Sequence, residues 1–402
     1  MTNLNTQTSF VPGRLEQMST RVAFFIAGVG IAAWAPLVPY AKARAGLDEG
    51  TLGLLLLCLG VGSILAMPMA GLLATRFGCR RVLSGGTLLI CLALPLLATV
   101  SSIPALIATL FLFGAGLGTV DSTVNLQAVI VERASGKTMM SGFHGLFSLG
   151  GIVGAAGVSG LLGLGLSPLG AMLVVIVLLV IALLKAAPHL LPYGSESSGP
   201  AFAVPHGIVL FIGGMCFIVF LAEGAALDWS AVFLAQERGI DKAYAGLGYA
   251  AFALTMTAGR LTGDSIVRRL GATRVIVFGG LTAAAGLFLA TFAPSWEAAL
   301  AGYALLGAGC SNIVPVLYTA VGKQTVMPES IAVPAITTLG YAGILAGPAV
   351  IGFVAHAASL SFAFGLMALL LVAVAIGGKV LKVYSEKIAA FGSSYRTEDV
   401  RM

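Results

Sequence analysis

The chain has 402 residues, of which 58% are hydrophobic and only 9% charged, whereas an ordinary soluble protein carries about 25% charged residues. That balance excludes a water-soluble globular fold and predicts an all-α polytopic membrane protein. The formal net charge of +6 follows from lysines and arginines gathered on one side of a membrane, so no nucleic-acid partner is implied.

Apolar runs of the roughly 20 residues needed to cross a bilayer recur throughout. They predict twelve spans at 20–42, 51–74, 82–99, 104–131, 138–164, 169–187, 206–234, 244–265, 274–293, 297–322, 330–356 and 358–382. The first is too long for a secretory signal and lacks a small-residue cleavage site, so it reads as a retained span. It carries Trp34 and Pro39. Between spans 2 and 3 lie Arg76, Gly78, Arg80 and Arg81. Arginines at a helix end meet exposed carbonyls and anionic headgroups, and can latch one bundle on another or simply anchor topology.

Span 4 holds Asp121 near mid-depth, where a charge costs roughly 2.5–3.5 kcal/mol on insertion scales and therefore needs a reason. Gly114, Gly118 and Asn125 share its face at helical spacing, which allows close backbone approach or open volume beside the carboxylate. Gly136-Lys137-Thr138 after this span is a turn; the earlier glycine of a phosphate loop is replaced by Val131, so ATP coupling is not expected. Span 5 is glycine-rich and carries His144.

Residues 188–205, with four prolines, read as a linker between a first half (1–187) and a second (206–402). Span 7 contains Glu223 and, nearer its far end, Asp228 and Trp229, the latter where an interfacial aromatic belt would fall. On span 8, Arg260 and Asp264 are four apart, a spacing that predicts an ion pair on one helix face, with Arg269 beyond them. Span 10 carries Ser311, Asn312, Pro315 and Tyr318. Five scattered cysteines and four dispersed histidines give no disulfide framework, metal site or cofactor.

The two halves repeat. Arg76, Gly78 and Arg81 recur as Arg269, Gly271 and Arg274, Gly114-Ala115-Gly116 as Gly307-Ala308-Gly309, and Gly154 as Gly347, all at one offset (269 − 76 = 307 − 114 = 347 − 154 = 193). Two matched six-helix bundles follow, a common construction of transporters. Asp121, Asn125 and His144 meet Val314, Tyr318 and Thr337 at that offset, so the scaffold is duplicated but the ionisable chemistry is not. Placing both termini in the cytoplasm leaves only Lys42, Arg44, Arg238 and Lys242 of the 22 basic residues outside, which orients the chain in the cell inner membrane.

The stretch Gly71-Leu72-Leu73-Ala74-Thr75-Arg76-Phe77-Gly78-Cys79-Arg80, echoed near Arg268–Arg274, resembles the signature loop of the major facilitator superfamily. It departs at Thr75, where that family usually has Asp, and at Cys79; in the second copy Asp264 holds a place that is often glycine. Ala33-Trp34-Ala35, Asn125, His144-Gly145 with Ser148, Glu223-Gly224 with Asp228-Trp229, and Thr337-Thr338 with Gly340-Tyr341 together resemble the MosC-like branch. Its namesake is implicated in uptake of rhizopine, an amino-cyclitol, and the branch neighbours fucose-type sugar permeases.

The resemblance implies a monomeric transporter in which helices 1, 4, 7 and 10 line a cavity for a small polyhydroxylated solute. Asp121 is expected to carry the proton, with Glu223 as second choice. Trp34, Asn125, His144, Asp228, Trp229, Asn312 and Tyr341 are the expected solute contacts. Arg76, Arg80, Arg81, Arg260, Asp264 and Arg269 are the expected gating residues. The expected partners are a small-molecule solute, protons and membrane lipids. Rival readings are a proton-coupled exporter of drugs or metabolites, weakened by Ala155 where antiporters often have proline after the span-5 glycine, and a sensor that binds without transporting. An enzyme is not expected, since no nucleophile–base pair appears.

Overall fold

The computed structural model describes residues 12–195, 204–241 and 244–398, so Lys242 and linker positions 196–203 lie outside the described residues. Among those described, there are no strands. Helices α1 to α6 are Arg14–Ala45, Glu49–Phe77, Cys79–Thr99, Ile103–Ser135, Met140–Gly163 and Pro168–Ala186. Helices α7 to α12 are Gly207–Glu237, Leu247–Leu270, Ala272–Phe292, Trp296–Val321, Glu329–Ala357 and Leu360–Glu398. They form two six-helix bundles. Alternation of direction puts the linker and the outer ends of α1 and α12 on one side, termed here the linker face.

Eleven of these helices are long and apolar enough to cross a membrane. The remaining one, α8, has the length but carries Arg260, Asp264, Arg268 and Arg269. The count of twelve predicted from apolar runs therefore rests on packing as well as apolarity: Arg260 and Asp264 find partners on other helices, while Arg268 and Arg269 stand exposed at the linker end of α8.

The repeat is written into the backbone. Gly78 and Gly271, 193 apart, turn α2 into α3 and α8 into α9 with φ of +83° and +81°, a region that side-chain-bearing residues avoid. Gly114 and Gly118 bring α4 against α2 at Leu59 and Ser63, and Ser63 Oγ donates to the Gly114 carbonyl at 2.8 Å. Close helix approach, not open volume, is what these glycines provide.

The face opposite the linker shows a further echo. Arg44 donates to the carbonyls of Val100, Ala98 and Leu97 at 2.9, 2.9 and 2.7 Å, closing the C-terminus of α3. Arg238 likewise donates to the Thr291 carbonyl at the end of α9. Two of the basic residues expected on the outer side are thus helix caps. Arg44→Ala is expected to cost about 1–2 kcal/mol through lost charge-assisted bonds, read as a lower melting temperature of the purified protein.

Helices α1 and α10 are interrupted. The first breaks around Trp34, with a 3-10 turn over Ala35–Leu37, because Pro36 and Pro39 have no N–H to continue the ladder. The second breaks at Ser311 and Asn312, because Pro315 lacks the N–H that the Ser311 carbonyl would otherwise receive. Their repeat mates α7 and α4 run unbroken. Interrupted spans that face a cavity mark solute sites in transporter folds.

Candidate functional site

The break in α10 leaves a carbonyl that must find a donor, and Arg260 of α8 supplies it: Nε donates to the Ser311 oxygen at 3.3 Å. The same guanidinium pairs with Glu223 Oε1 of α7 at 3.1 Å and donates to Ser148 Oγ of α5, in the opposing bundle, at 2.9 Å. Both members of the pair are largely buried, with side-chain exposures of 7% and 12%. An arginine serves here because its planar fork reaches three acceptors at once.

The ion pair expected within α8 does not form. Asp264 turns instead to the N-terminus of α5, accepting from Gly142 N–H at 3.1 Å. The reason lies in α5: its N-cap is Met139, which has no capping oxygen, so its first amides attract carboxylates from elsewhere. Glu132 takes two of them, Met139 and Met140 N–H at 2.7 Å each, and receives the Thr319 hydroxyl from α10. Arg133 pairs with Glu329 at the start of α11. The linker face is therefore sewn across both bundles. A surface cavity of about 880 Å³ at this junction, lined by Arg133, Tyr193, Gln324 and Glu329 among others, lies away from the polar centre.

Deeper, Asn125 Nδ2 donates to the Asp121 carbonyl at 2.9 Å and lies 3.4 Å from its Oδ1, as expected for one face of α4. Among the described residues, no cation pairs with Asp121. Tyr341 of α11 lies close to Ser63 and Asp121. His144 sits between Phe24 and Tyr318, tilted to both rings with centroids 5.3 and 5.4 Å away, and the Tyr318 hydroxyl is 2.7 Å from Thr337 Oγ1. This buried layer joins the bundles on the linker side of Asp121. Asn312, in the α10 break, donates to the Gly259 carbonyl at 3.0 Å.

Trp34 Nε1, Asn125 Oδ1, His144 Nε2, Trp229 Nε1 and Asn312 Oδ1 are buried and have no protein hydrogen-bond partner. Buried polar groups are normally paired, so these are positions that water or a solute would satisfy. Trp229 packs beside Gly352 of α11, while Asp228 is exposed.

The signature-loop arginines divide. Arg80 donates to the Leu190 carbonyl at 3.0 Å and also to that of Pro188, while its own amide and that of Cys79 bond Leu191 and Tyr193. It clamps the linker to its own bundle. Gln127 completes the clamp, accepting from Leu191 N–H and donating to Thr20. Arg76 lies over the Phe77 ring at 5.2 Å, and Arg76, Arg81 and Arg269 are exposed at the linker face.

Sequence reasoning passed over Glu132, Thr319, Glu329, Ser63 and Tyr249. The last lies on α8 in the field of Glu223, Arg260 and Asp228. Glu132 and Arg133 follow directly on predicted span 4, where charges are ordinary, and only the uncapped start of α5 could have signalled otherwise.

Two helical bundles closed on each other at one face, with unpaired polar groups and two interrupted helices, have the build of a solute transporter. The Major Facilitator Superfamily model matches residues 22–222 and again 207–390. The chain belongs to that superfamily; it is a multi-pass membrane transporter and not an enzyme. An MFS-type transporter of Yersinia pestis is 55% identical over 376 residues, 93% of this chain and 98% of the relative. Membrane protein MosC of Rhizobium meliloti is 31% identical over 343 residues, 84% and 83%. The Escherichia coli fucose:proton symporter FucP shares the fold at TM-score 0.76 and 17% identity, covering 90% of this chain and 98% of that one. The proton:xylose symporter XylE does so at 0.67 and 15%, covering 90% and 94%.

Proposed function

We propose that this protein carries a small polar solute, a sugar, cyclitol or amino-sugar, across the cell inner membrane by proton-coupled symport. The observation that carries the reading is Asp121: a carboxylate at mid-depth between the bundles, bonded to an amide and paired with no cation among the described residues. Such a group can take and release a proton without breaking a salt bridge. Glu223, already neutralised by Arg260, serves as a second carboxylate whose ionisation is tied to bundle contact. Trp34, Asn125, His144, Asn312 and Tyr341 line the solute path, with indole rings for a sugar's apolar face and amides for its hydroxyls. Asp228 and Trp229 stand at its outer mouth.

The positive-inside pattern supports a cytoplasmic linker face, with both termini on that side and division of the chain at 188–205. The structure then corresponds to a state shut towards the cytoplasm, with Asp264 as one latch. A monomer suffices for rocking of one bundle on the other. The symporter character of FucP and XylE supports the coupling.

Uptake into proteoliposomes from a panel of sugars, cyclitols and amines, with and without a pH gradient, tests this directly. Asp121→Asn is expected to abolish gradient-driven accumulation while leaving counterflow exchange. Undiminished uphill uptake by that variant would remove Asp121 from the role. Extrusion of solute on imposing an inward proton gradient would favour the exporter reading instead.

A further inference from the structure

Arg260 and Asp264 occupy one turn of α8, and in this structure both reach across to α5 of the other bundle. Asp264 accepts from Gly142 N–H at 3.1 Å and Arg260 donates to Ser148 Oγ at 2.9 Å. Separation of α5 from α8 at the linker face removes both contacts in one movement. The Gly142 amide can then turn to water. Arg260 cannot solve its problem so simply: it is always protonated, only 6% exposed, and sits ten residues (260 to 270), roughly 15 Å, from the linker end of its helix.

Its present counter-ion, Glu223, is on α7 of the same bundle, and the Ser311 carbonyl belongs to the break in α10. The nearest carboxylate along its own helix is Asp264, at the i, i+4 spacing where side chains meet. We propose that Arg260 and Asp264 exchange partners as the transporter works. In the state closed at the linker face, Arg260 holds Glu223 and Ser148 while Asp264 holds the start of α5. In the state open at that face, Arg260 and Asp264 pair with each other.

The exchange frees Glu223 and the Ser311 carbonyl together, which couples release of the junction to rearrangement of the α10 break. It also explains why the second signature copy has an acid where glycine is common: Gly71, the repeat mate of Asp264 (264 − 71 = 193), only needs to pack closely on Ser330. Asp264 must pack in one state and pair in the other.

The proposal rests on the alternating-access reading, and a double-mutant cycle separates the two. Spin labels at Lys137→Cys and Leu270→Cys, on the linker-face ends of the opposing bundles, report their separation without any solute. Glu223→Gln withdraws the closed-state partner of Arg260 and is expected to raise the open-to-closed ratio about tenfold. On the Asp264→Asn background, whose amide oxygen can still accept from Gly142, that rise should shrink to about twofold, because the open-state partner is gone.

Residues 223 and 264 have no direct bond, so their effects would otherwise add. Additive shifts with two separations present overturn partner exchange and leave alternating access standing. One separation, unmoved by any of the variants, overturns both. Melting temperatures of the same variants identify any that fail to fold, and Glu223→Asp, which keeps the charge, is expected to move the ratio less than Glu223→Gln.

Discussion

Replacing Arg260 with alanine is expected to be the most damaging single change in this protein. It strands Glu223 as a buried, unpaired carboxylate and removes the donors of Ser148 and of the Ser311 carbonyl. Removing one partner of a buried ion pair costs about 3–5 kcal/mol, far more than the pair itself contributes relative to neutral residues of the same shape. A second substitution should therefore rescue the fold. Adding Glu223→Gln to Arg260→Ala is expected to return most of the lost melting temperature, since no charge is left buried. Arg260→Lys should fall between, because an ammonium keeps the charge but lacks the planar fork that spans three acceptors. Transport should not follow stability: the rescued double variant still lacks the contact between α8 and Ser148, and is expected to remain inactive. Thermal unfolding of the variants in detergent, beside uptake in proteoliposomes, checks both halves. An Arg260→Ala protein that melts with the wild type would mean that Glu223 is solvated rather than buried.

How much of this was legible beforehand depended on whether a partner lay near in sequence. The helices and the repeat were, because apolar length and the 193 offset are one-dimensional properties, and Gly78 and Gly271 turn alike. Asp121 and Asn125 were legible too, since both sit on α4 one turn apart. The Arg260–Asp264 spacing gave the wrong partner for this state, because an i, i+4 pair competes with a buried carboxylate on another helix and with an uncapped helix start. Both competitors are tertiary. Glu132 shows the same limit from the other side: it follows directly on predicted span 4, where a surface charge is ordinary, yet is buried with its oxygens on Met139, Met140 and Thr319. Arg80 looked like a latch between bundles because the linker it grips has no pattern that foretells its path. The α10 break was visible as Pro315, but not that an arginine would answer the freed carbonyl.

A single methyl group at Gly71 is expected to shift the working equilibrium without unfolding either bundle. The linker-face junction is built on close approach: a Cβ at Gly71 would overlap the Ser330 carbonyl oxygen of α11. One at Gly145 would stand 3.1 Å from the Leu261 amide nitrogen and 3.2 Å from the Arg260 carbonyl carbon of α8. These are backbone atoms, so no rotamer change relieves the contact; the helices must part. Overpacking of this kind costs about 1–3 kcal/mol, and the cost falls only on the state closed at the linker face. The open state loses nothing, so the population ratio should move about five- to 150-fold towards it. Gly85→Ala on α3 is the control, because a Cβ there meets nothing within 4 Å and alanine favours a helix. A cysteine introduced at Ser330, which is 6% exposed, should react faster with a small hydrophilic maleimide in Gly71→Ala and at the parental rate in Gly85→Ala. Equal rates in all three proteins would mean that this junction yields by local shifts, and that closure there does not depend on the glycine. The asymmetry matters for mechanism: both seams pack through small residues, but the one between α8 and α5 adds the bonds of Asp264 and Arg260. One seam sets how tightly the bundles can close, and the other sets which charges must move before they open.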